Sequence, residues 1–78
     1  MDNNYLAFAS TTHLQNGGKF YYRESFGFEY ADQDNATMYE TYDAAKAAVK
    51  NQIPANFVGR VFIEDVMDGE QSEIFNNI

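Results

Sequence analysis

The chain has no cysteine and no tryptophan, one proline, one histidine, and only five lysines and arginines in 78 residues. Without cysteine it has neither a disulfide framework nor a thiolate metal site, so its stability must come from packing, and a reducing cytoplasm suits it. It also lacks a long apolar run, since nothing approaches the ~20 residues that a membrane helix needs. Met1 to Asn4 are polar and acidic rather than basic and apolar, unlike a secretory leader. The expectation is one cytoplasmic domain of 78 residues that touches no membrane.

Catalytic and cofactor motifs are equally scarce. His13 stands near a turn, with no serine, cysteine or carboxylate placed to make it a base in a triad, and reads as a surface residue. Asp32, Asp34 and Asn35 look like the start of a calcium loop, but Thr37 occupies the sixth position, where glycine is needed, and Asp43 the twelfth, where glutamate is needed. Glu64 and Asp65 point to opposite faces of a strand and cannot share one substrate as acid and base. There is no glycine-rich phosphate loop. The chain is therefore expected to be no enzyme and to carry no metal or cofactor.

The shortage of cations leaves a formal charge of -7. Such a surface repels nucleic-acid phosphates and anionic membranes, and a basic partner is its natural complement. The alternative is that the charge only keeps a small domain in solution, for which roughly 2 to 8 units is ordinary.

What the chain has in plenty is aromatic residues, concentrated in KFYYRESFGFEY, from Lys19 to Tyr30. Phe20, Tyr22, Phe26, Phe28 and Tyr30 alternate with polar residues at the period of a strand, which predicts one long central strand with Phe26 in the core. Glu24 breaks the pattern, as a rim position or a bulge. Tyr5 to Leu14 reads as a strand before it, joined through a tight turn at Asn16-Gly17. That register sets Ala7 opposite Phe26 and Ala9 opposite Glu24, leaving two small residues where a helix can lie close; a bulge at Gly18 would exchange the faces.

Ala31 to Asn35 reads as an exposed loop, and Ala36 to Glu40 as a short strand. Thr41 is placed to cap a helix from Tyr42, with Tyr42, Ala45, Val49 and Ile53 on its buried side and Pro54 beyond its end. Phe57 to Met67 predicts another strand, turning at Asp68-Gly69 into Glu70 to Asn76, with Phe62 opposite Phe75 and Glu64 opposite Glu73. The predicted fold is α+β, an antiparallel sheet of four to five strands with one helix on one face, in the order ββ(β)αββ.

Two surfaces stand out as candidate sites. The acids fall into two groups free of lysine and arginine: Asp32, Asp34, Glu40 and Asp43 with Glu29, then Glu64, Asp65, Asp68, Glu70 and Glu73. Carboxylates two apart on a strand lie ~7 Å from each other, close to the phosphate spacing of a nucleic-acid strand, so they can occupy a basic groove meant for DNA or RNA. The second surface is the sheet face away from the helix, where Phe8, Tyr21, Phe62 and Phe75 gather with Leu6 and Val58. One helix cannot also cover these, so they are expected to stay exposed or to meet another chain.

In size, charge and element order, with the hairpin strand KFYYRESFGFEY, the helix opening TYDAAKAAV and the strand VGRVFIEDV, the chain resembles the small acidic inhibitors that phages encode, anti-CRISPR proteins in particular. The resemblance implies a non-enzymatic protein that binds a CRISPR effector, a basic nucleoprotein complex, by covering its nucleic-acid groove or locking it. The reading from another class is a homodimeric or accessory protein of a phage or mobile element, self-associating through the aromatic face.

Overall fold

The computed structural model describes residues 3–11 and 18–78. Five strands, β1 (Tyr5–Ser10), β2 (Lys19–Arg23), β3 (Gly27–Tyr30), β4 (Gly59–Asp65) and β5 (Glu70–Asn77), form one antiparallel sheet in the order β3-β2-β1-β4-β5. A short 3-10 turn (Gln33–Asn35) and one helix, α1 (Tyr42–Val49), lie between β3 and β4. The α+β architecture with one helix against the sheet is as the sequence predicts.

The central strand is β1, and the aromatic-rich segment lies at one side of the sheet instead. Leu6, Ala7, Phe8 and Ala9 are buried in succession, because β1 has a strand on each side and cover on both faces. Ala7 meets Ala45 and Val49 of α1, with Tyr22 and Ile63 around them. The alanines are small enough for a helix backbone to approach, as expected.

Lys19 to Tyr30 is two strands, not one. The chain reverses at Glu24–Phe26, where the Phe26 amide bonds the Arg23 carbonyl at 2.9 Å. Ser25 and Gly27 take φ of 73° and 87°, the left-handed backbone that a turn this tight demands. Phe26 consequently sits on the turn, 56% exposed, rather than in the core.

The β1–β2 register differs from expectation by four residues in total, with Phe8 opposite Tyr21 and Ser10 opposite Lys19. An even shift keeps every side chain on its predicted face. The expected Asn16-Gly17 turn, with His13 and Leu14, lies outside the described residues.

In place of a strand over Ala36 to Glu40 there is one bridge. Tyr39 exchanges both backbone hydrogen bonds with Tyr5, at 2.7 and 3.0 Å, in the slot that β2 vacates when it turns away. Thr41 caps α1 as predicted, its Oγ1 accepting from the Ala44 amide at 3.0 Å. Ala45 and Val49 are buried, and the helix stops at Val49, short of Ile53, which the helical spacing sets on its buried side.

The β4–β5 connection is a four-residue turn, Val66 to Gly69, closed by the Gly69 amide on the Asp65 carbonyl at 2.7 Å with Gly69 at φ 77°. Glu64 therefore faces Gln71 and Glu73 faces Phe62, so the expected like-charge pair of Glu64 with Glu73 does not form. A bulge at Ile74 then brings Phe75 opposite Val61. Val61 shares the helix side with Ala9, so Phe75 belongs to the helix side, beside Phe57 at 6.2 Å between rings, and not to the back face.

Candidate protein-binding surface

The back face carries a small core of its own. Leu6, Phe8 and Tyr21 lie beneath Ala36, Met38, Phe62 and Val66, because the chain crosses this side between the 3-10 turn and the Tyr39 bridge. Phe8 is 1% and Tyr21 8% exposed, so neither presents the open aromatic surface expected of it. Phe62 stays half-buried, stacked on Phe8 at 5.2 Å with the Arg60 guanidinium 4.9 Å from its ring. Of the four aromatic candidates, Phe62 alone keeps access on that face. Composition along the sequence gives no warning that a polar loop will carry Ala36 and Met38 across the sheet.

The acidic candidates are sorted by the strand register. Tyr5 opens β1 and pairs with both Tyr39 and Asp65, so Glu40 and the Asp65–Glu70 turn flank one end of the sheet. The β2–β3 turn with Glu24 lies toward the same end, since β2 runs antiparallel to β1. Asp43, in the first turn of α1, favours that helix through its dipole and follows closely from Tyr39. At the other end of β1, Ser10 faces both Lys19 and Arg60, and Lys50 ends the helix. The five steps from Tyr5 to Ser10 span ~17 Å, beyond a Debye length of about 8 to 10 Å, so Lys19 and Arg60 do little to offset the acidic end, where Arg23, bonded to Asn35 Oδ1, is the cation at hand.

Not every acid is free to bind. Asp65 accepts from the Met67 amide at 3.0 Å and from Asn4 Nδ2 at 3.3 Å, holding the turn. Asp32 accepts from the Asp34 amide at 3.1 Å and caps the 3-10 turn. Glu64 accepts from Gln71 Nε2 at 3.0 Å, and Glu73 forms an ion pair with Arg60, toward the basic end. Among the described residues, Glu24, Glu29, Asp34, Glu40, Asp43, Asp68 and Glu70 are exposed and their carboxylates make no hydrogen bond or ion pair.

Burial and neighbouring carboxylates together act on Tyr5, Tyr21 and Tyr39. Asp65, acting first, then burial and the more distant Asp68 and Glu70, push the Tyr5 hydroxyl above its ordinary pKa. Burial, then Glu64 and Asp32, raise Tyr21. Burial and Glu24 push Tyr39 up to about 12, and its hydroxyl is buried without a hydrogen-bond partner. Glu24 and these tyrosines were not among the residues that charge grouping singled out; only the pairing across the sheet reveals them.

No helix among the described residues is long and apolar enough to cross a membrane. Comparison with known proteins adds no relative: no protein-family model matches the chain, and neither a curated protein nor a solved structure is significantly similar to it.

Proposed function

We propose that the chain is a non-enzymatic binding protein of the host-cell cytoplasm that docks its acidic end on a basic nucleic-acid-processing complex and inhibits it, in the manner of the anti-CRISPR proteins it resembles. The observation that carries this reading is the gathering of Glu24, Glu40, Asp65, Asp68 and Glu70 at one end of the sheet, where Arg23 is the neighbouring cation, with Lys19 and Arg60 at the other end. Carboxylates arranged this way attract and orient a basic groove and compete with the phosphates that normally fill it. Self-association through the back face has less surface to work with, since Phe8 and Tyr21 are buried.

The test is capture of CRISPR effector complexes from lysates on immobilised protein, in parallel with the D68K/E70K variant. The expected result is one basic nucleoprotein complex retained by the parent, released by competing DNA and by salt, and not retained by the variant. Equal retention by both proteins would overturn the reading.

A further inference from the structure

The helix is too short to cover its side of the sheet. Eight residues rise about 12 Å, and α1 lies against β1 and β4, while five strands spaced ~4.8 Å apart make a sheet roughly 19 Å across. The surplus apolar surface is thus on the helix side, over the β2–β3 hairpin. There, between the hairpin and the segment that follows the helix, is a cleft of about 300 Å³. That is the lower end of the range for ligand sites, enough to receive one or two apolar side chains.

Phe26, Phe28, Ile53, Phe57 and Val61 form its apolar walls, and Glu29 is the charged residue lining it among the described residues. Phe26 stands there half exposed, presented by a turn in which Ser25 holds a left-handed backbone that serine rarely adopts. The bulge opposite Tyr21 and Tyr22 places Glu29 as the unpaired residue of β3. Finally, β3 is the last strand of the sheet, so its outer edge has no strand partner among the described residues.

We propose that this cleft and edge bind an extended segment of a partner polypeptide, added beside β3, with an aromatic or large aliphatic side chain in the cleft and a lysine or arginine against Glu29. Strand addition supplies the affinity through the free backbone groups of Gly27–Tyr30, and the cleft selects the side chain. The charge of the occupant follows from Glu29 and from the -7 of the whole chain. Among the described residues no cation lines the cleft itself, Arg23 lying outside it, 5.7 Å from the Phe26 and Tyr30 rings and bonded to Asn35 Oδ1, and a second copy of the chain would bring two bodies of like charge together. The site uses none of the carboxylates of the acidic end, although Phe26 stands on the same turn as Glu24, so either can fail without the other.

Capped peptides of alternating lysine and phenylalanine, titrated into isotope-labelled protein and followed by NMR, test the proposal. Peptides with glutamate for lysine, or alanine for phenylalanine, are the controls. The expected shifts are confined to Gly27–Tyr30 and residues 53–57, with both controls about tenfold weaker or more. Phe26→Ala should weaken binding about tenfold and Glu29→Lys roughly three- to tenfold, each with an unchanged thermal midpoint because both side chains are exposed. Should Phe26→Ala loosen its turn, Glu29→Lys still decides, since it lies outside the turn. Shifts centred on Asp65–Glu70, equal binding by Glu29→Lys, or no shift up to ~1 mM peptide would each overturn the proposal.

Discussion

Exposure, more than residue type, decides what each aromatic contributes. Phe8, stacked on Phe62 with the tilted Tyr21 ring beside it, is 1% exposed, so Phe8→Ala should cost about 3 to 5 kcal/mol, enough to unfold a domain this small. Phe26→Ala, on an exposed turn, should cost well under about 1 kcal/mol. Urea unfolding of the two variants checks the contrast, and equal losses would return Phe26 to the core. Gly59 is a different kind of restriction. An added Cβ would meet the Ser10 carbonyl oxygen at 2.6 Å and Phe57 Cζ at 2.8 Å, at φ 155°. Gly59→Ala should therefore destabilise by roughly 1 to 3 kcal/mol, lowering the midpoint by about 4 to 8 °C per kcal/mol.

Tyr39 supplies a residue-scale pH test. Its hydroxyl pKa is about 12 in the folded chain against an ordinary 10.0, so the folded state keeps the proton longer than the unfolded one. That contribution to stability is intact below pH ~10 and is lost as pH rises toward ~12. Tyr39→Phe should flatten the alkaline fall of the thermal midpoint. At neutral pH it should be harmless or stabilising, because the hydroxyl it removes is buried without a partner. A variant less stable at pH 7 would mean that the hydroxyl has a partner after all.

Among the elements, those with local signatures were legible in the sequence and those decided by tertiary context were not. Thr41, the alanine run and Pro54 mark α1 well, and Thr41→Ala should cost about 0.5 to 2 kcal/mol by leaving the Ala44 amide without its cap, readable as a lower midpoint. The Lys19–Tyr30 segment misleads because period-two alternation runs straight through a three-residue turn; Gly27 is its single local marker, and Ser25 at φ 73° gives none. Replacing Ser25 with glycine should be neutral to stabilising by up to about 1 kcal/mol, the left-handed strain relieved being slightly larger than the added chain entropy. The register of β4 and β5 escaped because Asp65 makes the turn four residues long and the bulge at Ile74 moves Phe75 to the other face. The acidic residues of the site were legible as two runs of charge; that Glu40 and Asp68 share an end, and that Asp65 and Glu73 have structural partners, depends on pairing between distant strands.

At the scale of the whole molecule, a chain of charge -7 gathers Glu40, Asp68 and Glu70 at the Tyr5 end of its central strand. Charge reversal is informative only at acids without a structural duty, which favours Asp68 and Glu70 and excludes Asp65. The reversed protein should keep its midpoint to within about 0.5 kcal/mol of stability, since exposed charges contribute little to folding. The deciding measurement is the affinity of the parent and of D68K/E70K for the captured basic complex at low and at high salt. If the acidic end makes the contact, the parent should lose at least about tenfold in affinity as salt rises, and the reversed variant should be weak at both. Affinity that is flat with salt and unchanged by the reversal would contradict it.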